Sequence, residues 1–359
     1  MSSKRWLAPW KDSAEKPAIY HCISRVVDRR MVFEPAERER FRAIMRMQEK
    51  FSGCRVLSYC LMSNHIHLLL EVPPIPAEGI SDAELLKRLS AIQTEAYVAV
   101  VAKELSDAHK AGNAALVAEI HARFTYRMHD LSEFMKTVLQ RFTRWFNRTH
   151  NRSGTLWEER YKSVIVESGI AARTMAAYID LNPVRAGLVT EPAEYRWSSY
   201  GEAIGGDAKG NGKTARAGLV RAWGAHKGML ADAALWSGQV SRAYRNMLMA
   251  HAVEKTSESI GPYGVMQRKT TRRGIAKNQA AKQQQADSEI PLARMLRHRI
   301  RYFTDGAVIG SRIFVDEAFA RSRHRFGPKR SSGARKMRGK ASAAGTLLFS
   351  MRDLRKGIG

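Results

Sequence analysis

Two histidines separated by one residue, His65 and His67, are the side chains of this sequence best suited to chemistry. They lie in the largely apolar run of residues 61–70, which is typical of a buried strand. Because alternate residues of a strand point to the same face, both imidazoles project together while Ile66 points into the opposite core. The pair predicts half of a site for a divalent metal. Two structural imidazoles bonded to backbone groups are the alternative that the pair alone leaves open.

A tyrosine and an asparagine far downstream form a second candidate. Residues 177–182 read as a helix, and Tyr178 and Asn182 are four positions apart, so they share one helix face. A tyrosine hydroxyl is a nucleophile and an amide oxygen is a metal ligand. Pro183 disfavours helical geometry at the preceding residue, so the helix is expected to end at Asn182. A core tyrosine and a helix-capping asparagine are the alternatives.

The chain is strongly basic. Its 359 residues contain 60 Lys and Arg against 34 Asp and Glu, a formal net charge of +26. An excess of this size indicates a polyanionic partner, and nucleic acid is the most plausible one. The excess is concentrated in residues 260–359, which hold 23 Lys and Arg but only 6 Asp and Glu.

Cysteine usage and hydropathy favour the cytoplasm. Cys22, Cys54 and Cys60 lack the C-x-x-C spacing of zinc ribbons and fit reduced thiols. No stretch approaches the ~18 apolar residues that a membrane span needs, and the N-terminus opens no apolar signal region. We therefore expect a cytoplasmic, nucleoid-associated protein, long enough for two domains.

The order of the predicted elements indicates an α+β fold. Strands are predicted from β-branched and aromatic content or from alternation, at residues 18–27, 54–62, 65–72 and 156–167. Helices are predicted from apolar spacing and end signals, at residues 35–51, 131–148 and from about 170. Ser63 and Asn64 form a turn signal, which favours a hairpin of the second and third strands. The resulting order is that of the ferredoxin-like split βαβ antiparallel sheet, to which the tyrosine-bearing helix is added.

Two segments lie outside this pattern. An insertion at about 76–127 reads as two Ala-rich helices. The Gly-rich stretch 205–213 is typical of a flexible linker, and it predicts a boundary between residues 15–201 and a basic, mostly helical C-terminal extension at 202–359.

The C-terminal extension is uneven in composition. Residues 214–252 look helical, and residues 290–326 show helical and turn signals, whereas residues 267–285 are polar and predicted to be partly disordered. Residues 302–312 and 326–330 mix turns, aromatic residues and bases. They indicate a small DNA-binding appendage, with an unspecific basic tail as the alternative.

Basic side chains near the strand ends and on the helix at 131–148 form a candidate phosphate-binding surface. Each alone is typical of solvated charge, but together they favour single-stranded or hairpin DNA held beside the histidines. These residues are Arg25, Arg29, Arg30, Lys136, Arg141, Arg144, Arg160, Lys162 and Arg185. His21, on the first strand, fits a core histidine better than a site residue.

Four stretches together resemble the HUH-type single-tyrosine transposases, and among them the REP-associated branch. They are residues 20–25, 61–70, 178–188 and 197–200. H-x-H alone is a weak signal, whereas H-x-H followed by Tyr-Ile-Asp-Leu-Asn-Pro-Val-Arg-Ala-Gly is a strong one. The resemblance covers residues 15–201 and is looser in the insertion.

The resemblance implies an activity, a metal and a partner. His65, His67 and Asn182 would hold Mg²⁺ or Mn²⁺, and the oxygen of Asn182 matters because Mg²⁺ prefers oxygen ligands. Asn at this position is typical of the REP-associated branch, whereas the insertion-sequence branch usually has Gln. Tyr178 would cleave and rejoin single-stranded DNA near palindromic hairpins through a 5′-phosphotyrosine. Relatives imply either a monomer or a homodimer.

Two other classes of function remain open. A DNA-binding regulator could keep the fold without strand transfer, although the intact histidine and tyrosine positions argue against it. An RNA-binding protein is a third class, since sheets of this kind also bind RNA. The third strand carries His-Ile-His where such proteins expose aromatic side chains, which argues against this class.

Overall fold

A mixed sheet with helices on both faces organises this protein. The computed structural model describes residues 6–12, 16–206, 209–224, 232–252, 255–260, 266–272, 301–337 and 348–352. The strands are Ala18–Arg25 (β1), Arg55–Leu61 (β2), His65–Val72 (β3), Lys162–Val166 (β4), Lys255–Ile260 (β5), Met266–Arg272 (β6), Val308–Gly310 (β7), Arg335–Lys336 (β8) and Phe349–Ser350 (β9). The α-helices are Pro35–Ser52 (α1), Asp82–Leu89 (α2), Glu95–Lys110 (α3), Ala114–Thr125 (α4), Leu131–Thr149 (α5), Ile170–Asp180 (α6), Asn182–Arg185 (α7), Ser199–Gly205 (α8), Asn211–Gly224 (α9), Gly238–Ala252 (α10), Arg301–Asp305 (α11) and Arg312–Arg321 (α12).

The first four strands form the predicted ferredoxin-like arrangement. Their order in the sheet is β2-β3-β1-β4, and all of their pairings are antiparallel. The predicted hairpin of β2 and β3 is present, with the Met62 amide bonded to the His65 carbonyl at 2.9 Å. The α+β class predicted from the sequence is confirmed.

The two faces of this sheet bury different sets of side chains. On one face, α1 and α5 pack against alternate residues such as Tyr20, Ile66 and Leu68. On the other face, α6, α8, α9 and α10 pack against Ile19, Leu69 and their neighbours. The helices that cover the second face come after β4 in the chain. The tyrosine-bearing helix α6 is one of them, and it lies on the same face as the odd-numbered residues of β3.

The C-terminal extension completes the same sheet. Strand β7 pairs in parallel with β4, and β9 and β8 continue the sheet beyond it. This pairing satisfies backbone groups on the edge of β4, which an open sheet leaves exposed. The extension is therefore less purely helical than its composition predicts, because strands of two or three residues are too short to leave a periodic pattern.

Several element boundaries differ from those predicted. The strand predicted over 156–167 is shorter, and Trp157 contributes only an isolated bridge to Val26. The insertion contains three helices, because Thr94 caps a new helix through its hydroxyl. Within the Gly-rich stretch 205–213, Gly205 ends α8 and residues 211–213 begin α9.

Of the segment predicted to be partly disordered, residues 267–272 belong to β6 and the remainder lies outside the described residues. Among the helices that the structure describes, none combines the length and apolarity that crossing a membrane requires.

Candidate metal and tyrosine site

The histidine pair lies at the start of β3, on the face covered by α6. His65 is partly exposed, His67 is 3% exposed, and Ile66 between them is buried in the opposite core. The two rings have centroids 4.9 Å apart at an interplanar angle of 80°. Both imidazoles therefore project from the same face of the sheet, as strand alternation predicts.

Hydrogen bonds leave one nitrogen of each ring available. His65 Nδ1 lies 2.7 Å from Asn64 Oδ1, and an amide oxygen only accepts, so Nδ1 donates. His67 Nδ1 lies 3.0 Å from Nε2 of His21 on the adjacent strand. In both rings Nε2 remains for a ligand, which is the arrangement that metal-binding histidines have when their other nitrogen is bonded.

Burial keeps the histidines neutral. It lowers the pKa of His65 to about 4, and the charge of Arg25 lowers it further. Burial also lowers the pKa of His67 well below its usual value, and His65 and His21 add to this effect. A neutral imidazole is the form that ligates metals, so the pair is competent at neutral pH.

Tyr178 lies against the histidines from α6. Its ring centroid is 5.9 Å from that of His67 and 5.9 Å from that of His21, both edge-on. The side chain is 3% exposed, and Phe303 stacks on it with centroids 4.7 Å apart. Burial raises the pKa of Tyr178 to about 12, whereas the nearby Arg185 guanidinium lowers it. The phenol is therefore protonated at neutral pH and needs positive charge to ionise.

Pro183 was expected to end the tyrosine-bearing helix at Asn182, but α6 ends at Asp180 and Asn182 is the first residue of the short helix α7. Its Nδ2 donates to the carbonyls of Tyr178 and Ile179, both at 3.2 Å. The capping alternative is thus present, and it uses the amide nitrogen while leaving the oxygen as an acceptor. Arg185, one turn later, donates from Nη1 to the Tyr178 carbonyl at 3.1 Å and lies 4.9 Å from the Tyr178 ring.

The residues present fit a hard divalent cation with mixed ligands. Within the described part of the chain, no group of three His, Cys, Asp or Glu residues is arranged to hold a metal. Two imidazoles and one amide oxygen are a donor set suited to Mn²⁺ and, with added water, to Mg²⁺. The oxygen of Asn182 as a third ligand beside His65 and His67 stays a prediction.

The predicted basic surface is divided between the two sides of the sheet. Arg25 pairs in register with His65, and Arg29, Arg30, Arg160 and Lys162 are exposed near the same end of β1 and β4. Three more residues of this set, Lys136, Arg141 and Arg144, lie on α5, which packs on the opposite face from Tyr178. Amphipathic spacing placed α5 on the sheet but could not tell which face it covers.

Two residues beside the histidines have roles that the sequence did not indicate. His21, expected in the core, is fully buried and also contacts both His67 and Tyr178. Phe303 lies in the C-terminal extension, and its carbonyl is 2.8 Å from His21 Nδ1. No local pattern links Phe303 to this site. For His21 a signal existed, because strand alternation places a polar histidine between Ile19 and Ile23 on one face of β1.

The N-terminal part of the sequence matches a known family of transposases. Residues 15–106 match the sequence model of the family described as "Transposase IS200 like", and this segment contains both histidines but not Tyr178. No curated protein matches the sequence. A solved structure, "Structure of the REP associates tyrosine transposase bound to a REP hairpin", aligns with 57% of this chain and 87% of that chain, at 12% identity and a TM-score of 0.36. The predicted resemblance to IS200-like transposases is thereby confirmed for the segment that carries the histidine pair.

Proposed function

We propose that this protein is a metal-dependent DNA strand transferase that cleaves single-stranded DNA near palindromic hairpins, with Tyr178 as nucleophile. The observation that carries the proposal is the 5.9 Å approach of the Tyr178 and His67 rings. These residues come from elements far apart in the sequence, and packing of a tyrosine would not require an imidazole pair with free nitrogens. The match of residues 15–106 to a transposase family supports the same activity.

The proposed reaction is a transesterification at phosphorus. The Tyr178 oxygen attacks the scissile phosphate, the bond to the 3′ oxygen breaks, and the phenol proton is transferred so that a 3′-hydroxyl leaves. The product is a 5′-phosphotyrosine, which conserves the phosphodiester bond energy. Attack by the 3′-hydroxyl of another strand reverses the step and joins DNA without a nucleotide cofactor.

His65 and His67, with the oxygen of Asn182, would hold Mg²⁺ or Mn²⁺. When bound, the cation polarises the phosphate and stabilises charge that develops on it. The chain itself contributes positive charge through Arg185, whose guanidinium lies 4.9 Å from the Tyr178 ring and favours the phenolate. Such charge is necessary for ionisation of the phenol, because burial raises the pKa of Tyr178 to about 12.

Basic residues beside the histidines would bind the DNA backbone. Arg25, Arg160 and Lys162 are exposed near the site end of β1 and β4. The net charge of +26 makes a polyanion the natural partner and predicts that binding weakens steeply as salt increases. Phosphate contacts of this kind suit single strands and hairpins alike. The proposed oligomeric state is a monomer or a homodimer.

A covalent-adduct assay tests the function. Full-length protein is incubated with a 5′-labelled and a 3′-labelled hairpin oligonucleotide carrying single-stranded flanks, in Mn²⁺, and is then resolved under denaturing conditions. We expect a denaturant-stable complex with the wild type and with Tyr126→Phe, a control at an exposed tyrosine of the insertion. Tyr178→Phe should bind the hairpin but form no adduct.

The outcomes separate the functional classes. An adduct that persists in Tyr178→Phe would refute the assignment of the nucleophile. Binding of the hairpin without any adduct in the wild type would instead identify a DNA-binding regulator on the same fold.

A further inference from the structure

Helix α11 of the C-terminal extension lies against the candidate site. The Phe303 carbonyl oxygen is 2.8 Å from Nδ1 of His21, and the Phe303 ring stacks on Tyr178 with an interplanar angle of 16°. Phe303 is 1% exposed, so both contacts are buried. One residue therefore contacts the candidate nucleophile and the neighbour of a candidate metal ligand.

The hydrogen bonds of His21 determine which nitrogen of His67 carries a proton. A carbonyl only accepts, so His21 Nδ1 carries a hydrogen and donates it to Phe303. In the neutral ring, His21 Nε2 is then an acceptor, and His67 Nδ1, at 3.0 Å, must donate to it. His67 Nε2 is left with a lone pair, which is the group that a metal requires.

Packing alone does not explain a histidine at position 21. The residues on either side of it on the same face of β1 are Ile19 and Ile23, and an apolar residue would fill the same space. His21 is instead fully buried with a partner at each nitrogen, and one of those partners is separated from it by 282 residues. Each ring nitrogen of His21 thus has a hydrogen-bond partner, and the partner of Nε2 is Nδ1 of His67.

We propose that His21 and Phe303 are positioning residues, through which the C-terminal extension fixes the tautomer of His67 and the orientation of Tyr178. This proposal rests on the proposed strand-transfer function for its consequence in catalysis. His21 acts on metal affinity through His67. Phe303 acts on Tyr178 through its ring and on His21 through its carbonyl.

The first test reads the tautomers of the wild-type protein. Nitrogen-15 NMR of histidine-labelled full-length protein reports the tautomer of each ring, with His21→Phe and His67→Ala used only to assign the two signals. We expect His21 and His67 both to carry hydrogen on Nδ1. A His67 signal in the Nε2–H tautomer in the wild type would overturn the proposal.

The second test measures metal binding directly. Titration calorimetry with Mn²⁺ alone should show the dissociation constant of His21→Phe raised by about 10- to 100-fold, the usual effect of losing a bonded neighbour of a metal ligand. Ile19→Val, on the same face of β1, is the control for a small loss of packing and should bind Mn²⁺ as the wild type does. Equal affinity in His21→Phe and wild type would show that His21 does not position His67.

Phe303→Leu separates the ring from the carbonyl, because it keeps the backbone contact to His21. We expect unchanged Mn²⁺ affinity and hairpin affinity, with adduct formation slowed by up to about 100-fold as Tyr178 loses its stacking partner. An unchanged adduct rate would remove Phe303 from the positioning role. If the wild type forms no adduct at all, the strand-transfer function fails, while the NMR and Mn²⁺ measurements still decide whether His21 orients His67.

Discussion

Acidification should destabilise this protein through its buried histidines, and His21 allows the effect to be calculated. Burial lowers the pKa of His21 to about 4, and the bond to the Phe303 carbonyl only partly offsets this. In the unfolded chain the pKa returns to about 6.5. Between these values the unfolded chain binds more protons than the folded protein, so the free energy of unfolding falls as the pH falls.

The magnitude follows from the two pKa values. The contribution of His21 is fully present above about pH 6.5 and is lost as the pH falls towards about 4, for a total of about 3 kcal/mol. Of this, about 2 kcal/mol disappears between about pH 7 and pH 5. His21 is 0% exposed, so solvent screening does not reduce the effect.

Urea unfolding followed by tryptophan fluorescence at these two pH values measures the loss. The decrease in the free energy of unfolding should be smaller by about 2 kcal/mol in His21→Phe than in the wild type. Ile19→Val should lower stability by about 1 kcal/mol equally at both pH values, because it removes only a methyl group. A decrease in His21→Phe as large as that of the wild type would show that His21 is not held neutral by burial.

Three further substitutions, two of them paired with a control substitution, test the site and the packing that supports it. His65→Ala should lose Mn²⁺ binding in calorimetry and adduct formation together while keeping hairpin affinity in gel shifts, and unchanged cleavage would contradict its role as a ligand. Gly218→Ala would place a Cβ 2.4 Å from a backbone oxygen of β2, so thermal or urea unfolding should show a loss of about 1–3 kcal/mol. Gly205→Ala, where a Cβ meets nothing within 4 Å, should show no such loss. Glu202→Ala removes a buried carboxylate that two arginines of α1 share and should cost about 3 kcal/mol, whereas Glu84→Ala on the insertion should cost less than about 1 kcal/mol.

The core of the fold and the elements that carry its chemical groups were predictable because their signals are local. β3 and its histidines follow from alternation, and α6 follows from helical spacing that ends before Pro183. The order of strands and helices then restricts the sheet to few arrangements, of which the split βαβ sheet is one. In the structure, α1 and α5 cover one face of that sheet, and α6 covers the other face, to which His67 points.

The remaining features depend on contacts between distant segments. Phe303 reaches His21 across most of the chain, and β7 is only three residues long, so neither leaves a pattern in sequence. The division of the basic residues has the same origin. Lys136 and Arg25 are equally plausible as phosphate ligands by type, and only the packing of α5 on the opposite face distinguishes them.

Identification of the residue that becomes covalently bonded to DNA is the most direct test of the central claim. Wild-type protein is reacted with a short hairpin oligonucleotide in Mn²⁺, digested with protease and nuclease, and analysed by mass spectrometry. We expect a nucleotide phosphate on the peptide containing Tyr178 and on no other peptide. Attachment at Tyr20, Tyr59, Tyr161 or Tyr200, or no attachment with a substrate that the protein binds, would contradict the account.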